Sequence, residues 1–524
     1  MGSADTAFTF STQSWAAIKT DVLVVPIFKE KDTLSLTSSL KTLDKSMQGM
    51  IQAAAKEEKY NGAKGQIMTL RSHLKDTVGF RRLVLVGLGE EKRFMPNKWE
   101  STALKAVRST LTLKDLKSIA VSLPQNTKRV TLEQSVYGLV DAVHQATYTS
   151  QEAKEKGPRI PKMIIAVEKA TTASLRTALE QAIALAEARS LAKDLVNKPS
   201  NIKSTNSLVD AAKVLGKRKN ITVKVQSSAS WVQKNMPCFY EVAKGSVATD
   251  PPKFITLHYQ PPGTKAAAKG KKPTKNKKVA VVGKSVIFDT GGYQVKPGAY
   301  MNTMKADMAG GAYVLGVMHA LSKLQPTGIE VTAYLAATPN KIDSDAMIPD
   351  AVVNTTCGKK VEIRHTDAEG RLTLIDAVAM ALKDKKNLPD ELVTVATLTG
   401  SAATAVGMWV ALMGNQGATE GPTNKKTMRQ RMEDSARYLG EPFQSLEVVE
   451  QDFDDIKSKL DSADICNTSH NKKRGCQSAA AFVMSGNTED IPMLHLDIAG
   501  ADMSGDEKAT GIGQKALTWF MLTS

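Results

Sequence analysis

Seven residues between positions 284 and 371 have the side chains that hold metal ions and move protons. They are Lys284, Lys296, Asp289, Asp307, Asp367, Glu369 and Arg371. Most stand where an apolar run meets a glycine or a turn. Val286-Ile287-Phe288 delivers Asp289 into Thr290-Gly291-Gly292. A carboxylate at such a strand end faces a cleft, and the neighbouring backbone can approach a ligand closely. Asp367 and Glu369 stand two apart in TDAEG, a spacing that puts both on one face of an extended segment. Two carboxylates on one face repel unless a cation lies between them, and hard divalent ions take such oxygen ligands. Taken alone, Asp307, just ahead of the helical pattern AGGAYVLGVMHAL, is better explained as an acid complementing a helix dipole. The combination of four acids, two lysines and an arginine points to a two-metal hydrolytic site.

Other chemistries fail on spacing. Gly283-Lys284-Ser285 suggests a phosphate loop, but the glycine that pattern needs at position 278 is Lys278. Gly87 and Gly89 make only G-x-G, which fits a tight strand-to-helix turn. There is no H-E-x-x-H helix and no G-x-S-x-G elbow. His365, beside the acids, and His495, in MLHLDIAG, are better taken as structural histidines. The four cysteines show no paired spacing, so reduced thiols in a cytoplasmic protein are expected.

The elements that position these residues belong to an α/β chain. At 524 residues, two or more domains are expected. The first third alternates strand and helix signals: strands at Asp21–Phe28, Leu83–Gly87, Ser118–Ser122 and Met163–Val167, and helices at Leu43–Ala55, Trp99–Leu113 and Leu132–Tyr148. That alternation implies a largely parallel sheet. A long helix over Leu175–Leu195, stopped by Pro199, would join two domains divided near residue 172. A second alternation starts with strands at Ile221–Val225, Phe254–Tyr259 and Val279–Val282, and Arg371 opens a helix in RLTLIDAVAMAL.

The net charge is +17, and seven lysines fall between Lys265 and Lys278. That stretch has no apolar periodicity and reads as a solvated loop, either a surface insertion or a contact for nucleic acid. No apolar run is long enough to span a membrane. The N-terminus fits the myristoylation pattern M-G-x-x-x-[ST] through Gly2 and Thr6, although MGS is also a common cloning remnant.

Three segments resemble the leucyl aminopeptidase (cytosol aminopeptidase) family: VGKSVIFDTGGYQVKP, MNTMKADMAGG and HTDAEGRLTLIDA. VATLTGS, LDSADICN, LHLDIAG and ATGIG are also similar to family segments, as is AKDLVNKPSN upstream. The resemblance covers roughly residues 175–520 and implies a smaller macro-like α/β domain over 1–172 and a catalytic α/β domain with a mixed central sheet over 173–524. It implies two divalent ions per subunit, zinc or manganese, with magnesium or cobalt as alternatives. One ion would be held by Lys284, Asp289, Asp307 and Glu369, the other by Asp289, Asp367 and Glu369. Lys296 would polarise the scissile carbonyl, and Arg371 would hold a bicarbonate ion acting as general base. Met304, Thr397 and Leu398 match positions lining the first side-chain pocket. The implied activity is removal of leucine-like N-terminal residues from peptides, with attack by a water bridging the metals, in a cytoplasmic homohexamer.

The chain departs from the family pattern at His365, Asn302, Ser285 and Met347-Ile348-Pro349-Asp350, none of which removes a metal ligand. Two alternatives stand beside this reading: a nucleic-acid-binding protein using the lysine loop, and a peptidase of altered specificity such as Cys-Gly cleavage.

Overall fold

The computed structural model describes residues 7–30, 32–74, 76–124, 127–168, 171–263, 276–471 and 473–524. The myristoylation pattern at Gly2 and Thr6 and most of the lysine run, from 265 to 275, lie outside these residues. The chain divides into two compact units. The first takes in described residues of Met1–Thr149, Ala153–Ala186 and Arg437–Gly440, and the second holds Ser150–Glu152, Glu187–Ala436 and Glu441–Ser524. The helix Ala173–Asn197 contributes residues to both.

The first unit carries six strands: β1 (Phe8–Ser11), β2 (Thr20–Phe28), β3 (Ile67–Arg71), β4 (Phe80–Gly89), β5 (Ser118–Ser122) and β6 (Lys162–Ala166). They form one sheet in the order β1-β6-β5-β2-β4-β3. All neighbours are parallel except the edge strand β3. The expected helix over Leu43–Ala55 is two helices, Ser38–Ser46 and Met50–Glu57. Between them Gln48 and Gly49 take positive φ, and the Asp44 carboxylate accepts the N–H of Ile51 at 2.8 Å, capping the second helix.

The second unit contains β7 (Ile221–Gln226), β8 (Lys253–Tyr259), β9 (Lys277–Asp289), β10 (Ile329–Asn340), β11 (Val352–Asn354), β12 (Lys360–Glu362), β13 (Glu391–Ala396), β14 (Val410–Gly414), β15 (Phe443–Ser445), β16 (Ile465–Cys466) and β17 (Met493–Asp497). The main sheet is mixed, ordered β15-β14-β17-β13-β9-β10-β8-β7, and β11-β12-β16 form a small separate sheet. Alternation along β9 feeds two cores. Val279 and Val281 pack with the helix Ala309–Leu324 on one face, while Ala280 and Val282 pack with the helices Gly370–Ala381 and Gly475–Met484 on the other. Lys277 and Lys278, the end of the expected lysine loop, begin β9, and Lys277 pairs with Glu391 at 2.7 Å.

From β9 the chain passes through Ala309–Leu324 to β10 on one side, and returns later as β13 on the other. Connections leaving in opposite directions open a crevice at the carboxyl ends of the strands, where α/β sheets bind ligands.

Candidate metal centre

Strand β9 carries two of the candidate residues, and its register makes them neighbours. Lys284 and Asp289 are five residues apart, so strict alternation would point them to opposite faces. Lys284 pairs with Ala336 and Asp289 with Asn340, which are four apart on β10, and the register shifts between Thr338 and Asn340. One extra residue on β9 is therefore a bulge that returns Asp289 to the face of Lys284. The side chain of Asn340 confirms the placement by donating to Asp289 Oδ1 at 2.8 Å.

Asp307 arrives from the next element. The helix Ala309–Leu324 starts directly against the sheet, since a Cβ on Gly310 would collide with the Val395 carbonyl and one on Gly283 would lie 2.6 Å from Gly311 Cα. That approach, open only to glycine, brings Asp307 against Lys284. The helix-dipole explanation of Asp307 is thus overturned: it is 4% exposed and its Oδ1 accepts from Lys284 Nζ at 2.5 Å. Asp367 and Glu369 do not lie on an extended segment. Thr366 and Asp367 form a turn, and Glu369 is already in helical conformation ahead of Gly370–Ala381. Asn467 holds that turn by accepting the Arg364 N–H at 2.8 Å and donating to the His365 carbonyl at 2.7 Å.

Carboxylate oxygens of Asp289, Asp307 and Glu369, all buried, lie within 4.8 Å of one another. Lys284 Nζ also donates to the Thr397 carbonyl at 2.9 Å and stands 3.0 Å from Glu369 Oε1, in a direction that leaves that oxygen without a hydrogen bond. Lys296 Nζ stands 2.8 Å from Asp289 Oδ2 and pairs with Asp367 as well. Asp367 lies outside the tight group of three and on the Lys296 side.

Burial disfavours the charged form of every member. It raises Asp307, Asp367 and Glu369, with mutual repulsion adding to the effect. Burial would lower the two lysines, but Asp307, Glu369 and Asp289 outweigh it at Lys284, and Asp289 and Glu369 outweigh it at Lys296, so both are raised. Buried Arg371 is brought down to about 10, and its Nε has no hydrogen-bond partner. His495 is pushed down to about 3 by burial and by Arg371, and its Nδ1 lies 2.7 Å from Thr394 Oγ1, a structural role.

The donor set fits divalent ions. Asp307 Oδ2 and Glu369 Oε1 are buried oxygens lacking hydrogen bonds, an arrangement costly unless something else engages them. Three converging carboxylates, a fourth beside them and an amine suit hard or borderline cations.

A cavity of about 700 Å³ opens over this cluster. Lys284, Asp289, Lys296, Met304, Asp307, Asp367, Arg371, Thr397 and Leu398 all line it, as does His365. Glu369, 1% exposed, does not. Sequence reasoning missed the supports. Asn340 was signalled only as a polar residue ending the apolar run of β10. Asp497, which ends β17 as Asp289 ends β9, accepts Leu398 N–H at 3.1 Å and Thr399 Oγ1–H at 2.7 Å, fixing the wall that carries Thr397 and Leu398. Thr397 Oγ1 in turn donates to Asp307 Oδ1 at 2.9 Å.

A sequence model of the cytosol aminopeptidase family catalytic domain matches residues 190–518, and that family's N-terminal domain matches residues 24–157. The chain belongs to the cytosol aminopeptidase family. A probable cytosol aminopeptidase of Thermosynechococcus vestitus is 32% identical over 92% of this chain and 90% of its own length. A probable cytosol aminopeptidase of Gloeothece citriformis is 31% identical over 95% of each. Among solved structures, a mutant of tomato leucine aminopeptidase matches with TM-score 0.84 and 25% identity, over 99% of this chain and 96% of that one. The bottromycin maturation enzyme BotP, in complex with Mn, shares the fold at TM-score 0.77 and 24% identity, over 96% of this chain and 99% of that one. As a cytosol aminopeptidase family member the chain is a metal-dependent peptide hydrolase, with the expected two-domain fold and mixed catalytic sheet. No described helix is long and apolar enough to cross a membrane.

Proposed function

We propose that this family member is a two-metal aminopeptidase that removes leucine-like N-terminal residues from peptides. The observation that carries the reading is the convergence of Asp289, Asp307 and Glu369 within 4.8 Å, with Lys284 and Lys296 set against them. Lys284, Asp289, Asp307 and Glu369 would hold one ion, and Asp289, Asp367 and Glu369 the other. When bound, the ions supply Lewis acidity, lowering the pKa of water and polarising the scissile carbonyl. Zinc and manganese suit this donor set, as do magnesium and cobalt.

The chain's own groups do the rest. Lys296 Nζ, on the cavity wall, donates to the carbonyl oxygen as negative charge develops there. Arg371, its Nε unengaged at the same wall, would hold a bicarbonate ion that supplies a general base. Met304, Thr397 and Leu398 receive the first side chain and orient the peptide. The reading includes a catalytic domain over 173–524, a macro-like domain over 1–172, and a cytoplasmic homohexamer, all carried from the resemblance.

Hydrolysis of leucine amide at mildly alkaline pH tests it. The protein would be stripped with chelator, then given Mn²⁺ or Zn²⁺, with Lys296→Ala in parallel. Metal-dependent turnover lost in the variant is expected; folded protein inactive with every metal would overturn the reading. The nucleic-acid alternative rests on the charge of residues 265–278, and a deletion of residues 265–275, which spares β9, that leaves salt-dependent DNA binding unchanged would exclude it.

A further inference from the structure

One acid on the cavity wall has no part in the metal cluster. Asp502 lines the cavity together with Met304, Leu398 and Met503, and is 9% exposed. Its backbone is fixed at both ends. Its N–H donates to the Ile498 carbonyl at 2.9 Å, its own carbonyl accepts from Thr510 at 2.8 Å, and Met503 bridges to Ala509 in the next register. The side chain is therefore aimed by the turn that follows β17 and does not wander with a loose loop.

Among the described residues no cationic side chain forms an ion pair with its carboxylate; the backbone N–H groups of Met503 and Asp502 and the more distant charge of Lys284 favour its ionised form, and the charge of Asp497 opposes it. Burial, with the charge of Asp497 adding to it, raises the carboxyl to about 7 despite the two N–H groups and Lys284. A buried carboxylate is costly unless a partner compensates it. Here the space in front of it is the cavity that receives substrate, with two methionines and a leucine beside it. Apolar walls ending in an acid match a side chain with an apolar stem and a cationic tip.

We propose that Asp502 is a specificity-determining residue that makes the first side-chain pocket accept lysine or arginine at the substrate N-terminus, alongside leucine-like residues. The stem of such a side chain packs on Met304, Leu398 and Met503, and its cation meets Asp502. This inference rests on the aminopeptidase reading above and refines its substrate class.

The test compares lysine amide with norleucine amide, which share a stem and differ by the terminal ammonium, using leucine amide as reference. In the Mn²⁺-loaded wild type, kcat/KM for lysine amide is expected to equal or exceed that for norleucine amide. In Asp502→Asn the ratio is expected to fall by at least tenfold, since removing one partner of a desolvated charge pair carries a penalty of that size or more. A wild-type ratio below one, or a ratio unchanged in the variant, overturns the proposal. An equal fall for all three amides also overturns it, because Asp502 would then be serving the α-amine or the fold. Should Asp502→Asn fail to fold, the wild-type ratio alone decides. Absence of turnover on every amide would instead count against the aminopeptidase reading itself.

Discussion

A methyl group at position 370 would place its carbon 2.7 Å from Nζ of Lys284. The lysine has no room to retreat: it is 3% exposed and held by Asp307 and the Thr397 carbonyl. Gly370 is thus part of the site through what it lacks. Gly370→Ala is expected to push the amine off its axis and to cut Mn²⁺ affinity by about 10–100-fold, the usual effect of disturbing a ligand's support. Far-ultraviolet circular dichroism should stay as in the wild type, and titration calorimetry reads the affinity. Wild-type affinity in this variant would remove Lys284 from the ligand set.

Asn340 orients Asp289 from the neighbouring strand, donating at 2.8 Å to its Oδ1 and at 3.1 Å to the Thr366 carbonyl. It therefore ties β10 to the turn that carries Asp367. Asn340→Ala should loosen both, with about a tenfold or greater loss in kcat/KM for leucine amide. Asn340→Asp should do more harm, by adding a fifth carboxylate to the four already there. A variant series with no such order would contradict the role.

Lys203 is buried at 6% exposure, and its Nζ donates to the carbonyls of Val196 (2.9 Å) and Lys305 (2.6 Å). It joins the last turn of the helix Ala173–Asn197 to the short turn that presents Met304 and Asp307. Lys203→Met removes the donor from a buried carbonyl and a part-buried one, at a cost of about 1–3 kcal/mol for each left unsatisfied. A lowered melting temperature, with KM for leucine amide raised more than kcat is reduced, is the expected signature. Unchanged melting would show that water satisfies both carbonyls equally well.

Glu187 offers a pH-dependent test away from the cluster. Burial would raise its carboxyl, but hydrogen bonds from His319 (3.2 Å) and Lys323 (2.9 Å) prevail and hold it at about 2, against 4.5 when unpaired. A depressed carboxylate stabilises the fold above its unfolded pKa and loses that contribution as pH falls through the folded value. The stability gap between wild type and Glu187→Gln should be on the order of 2 kcal/mol at pH 7 and shrink between pH 4.5 and about 2. Urea titrations of both proteins across that range measure it. A gap that widens on acidification would reverse the assignment.

Much of this was readable from residue patterns. The α/β alternation located β2, β5 and β6 within a residue or so, because buried parallel strands are apolar throughout. The cluster was readable because most of its acids and lysines stand where an apolar run meets a glycine or a turn. Patterns broke where tertiary partners decide. Val279–Val282 and Val286–Phe288 look like separate runs because Gly283, Lys284 and Ser285 interrupt them, yet β9 is continuous through all three. Gly283 is there for the helix that lands on it, and Lys284 for Asp307. Asp307 alone looked like an acid complementing a helix dipole because local sequence cannot show a lysine 23 residues away in the chain. Asn340, Asn467 and Asp502 carry no local pattern, since their work is to hold or face groups brought from distant elements.

The extra residue in β9 has a further consequence. Loss of a single codon between Val286 and Asp289 would leave Lys284 and Asp289 an even four residues apart, so regular pairing with β10 would keep them on one face without any bulge. The extra residue and the bulge would vanish together, and the pair would still meet. Part of the centre is thus encoded as a count of residues matched to an irregularity in the strand, and a one-residue gap here would mark a change of strand geometry rather than loss of the centre.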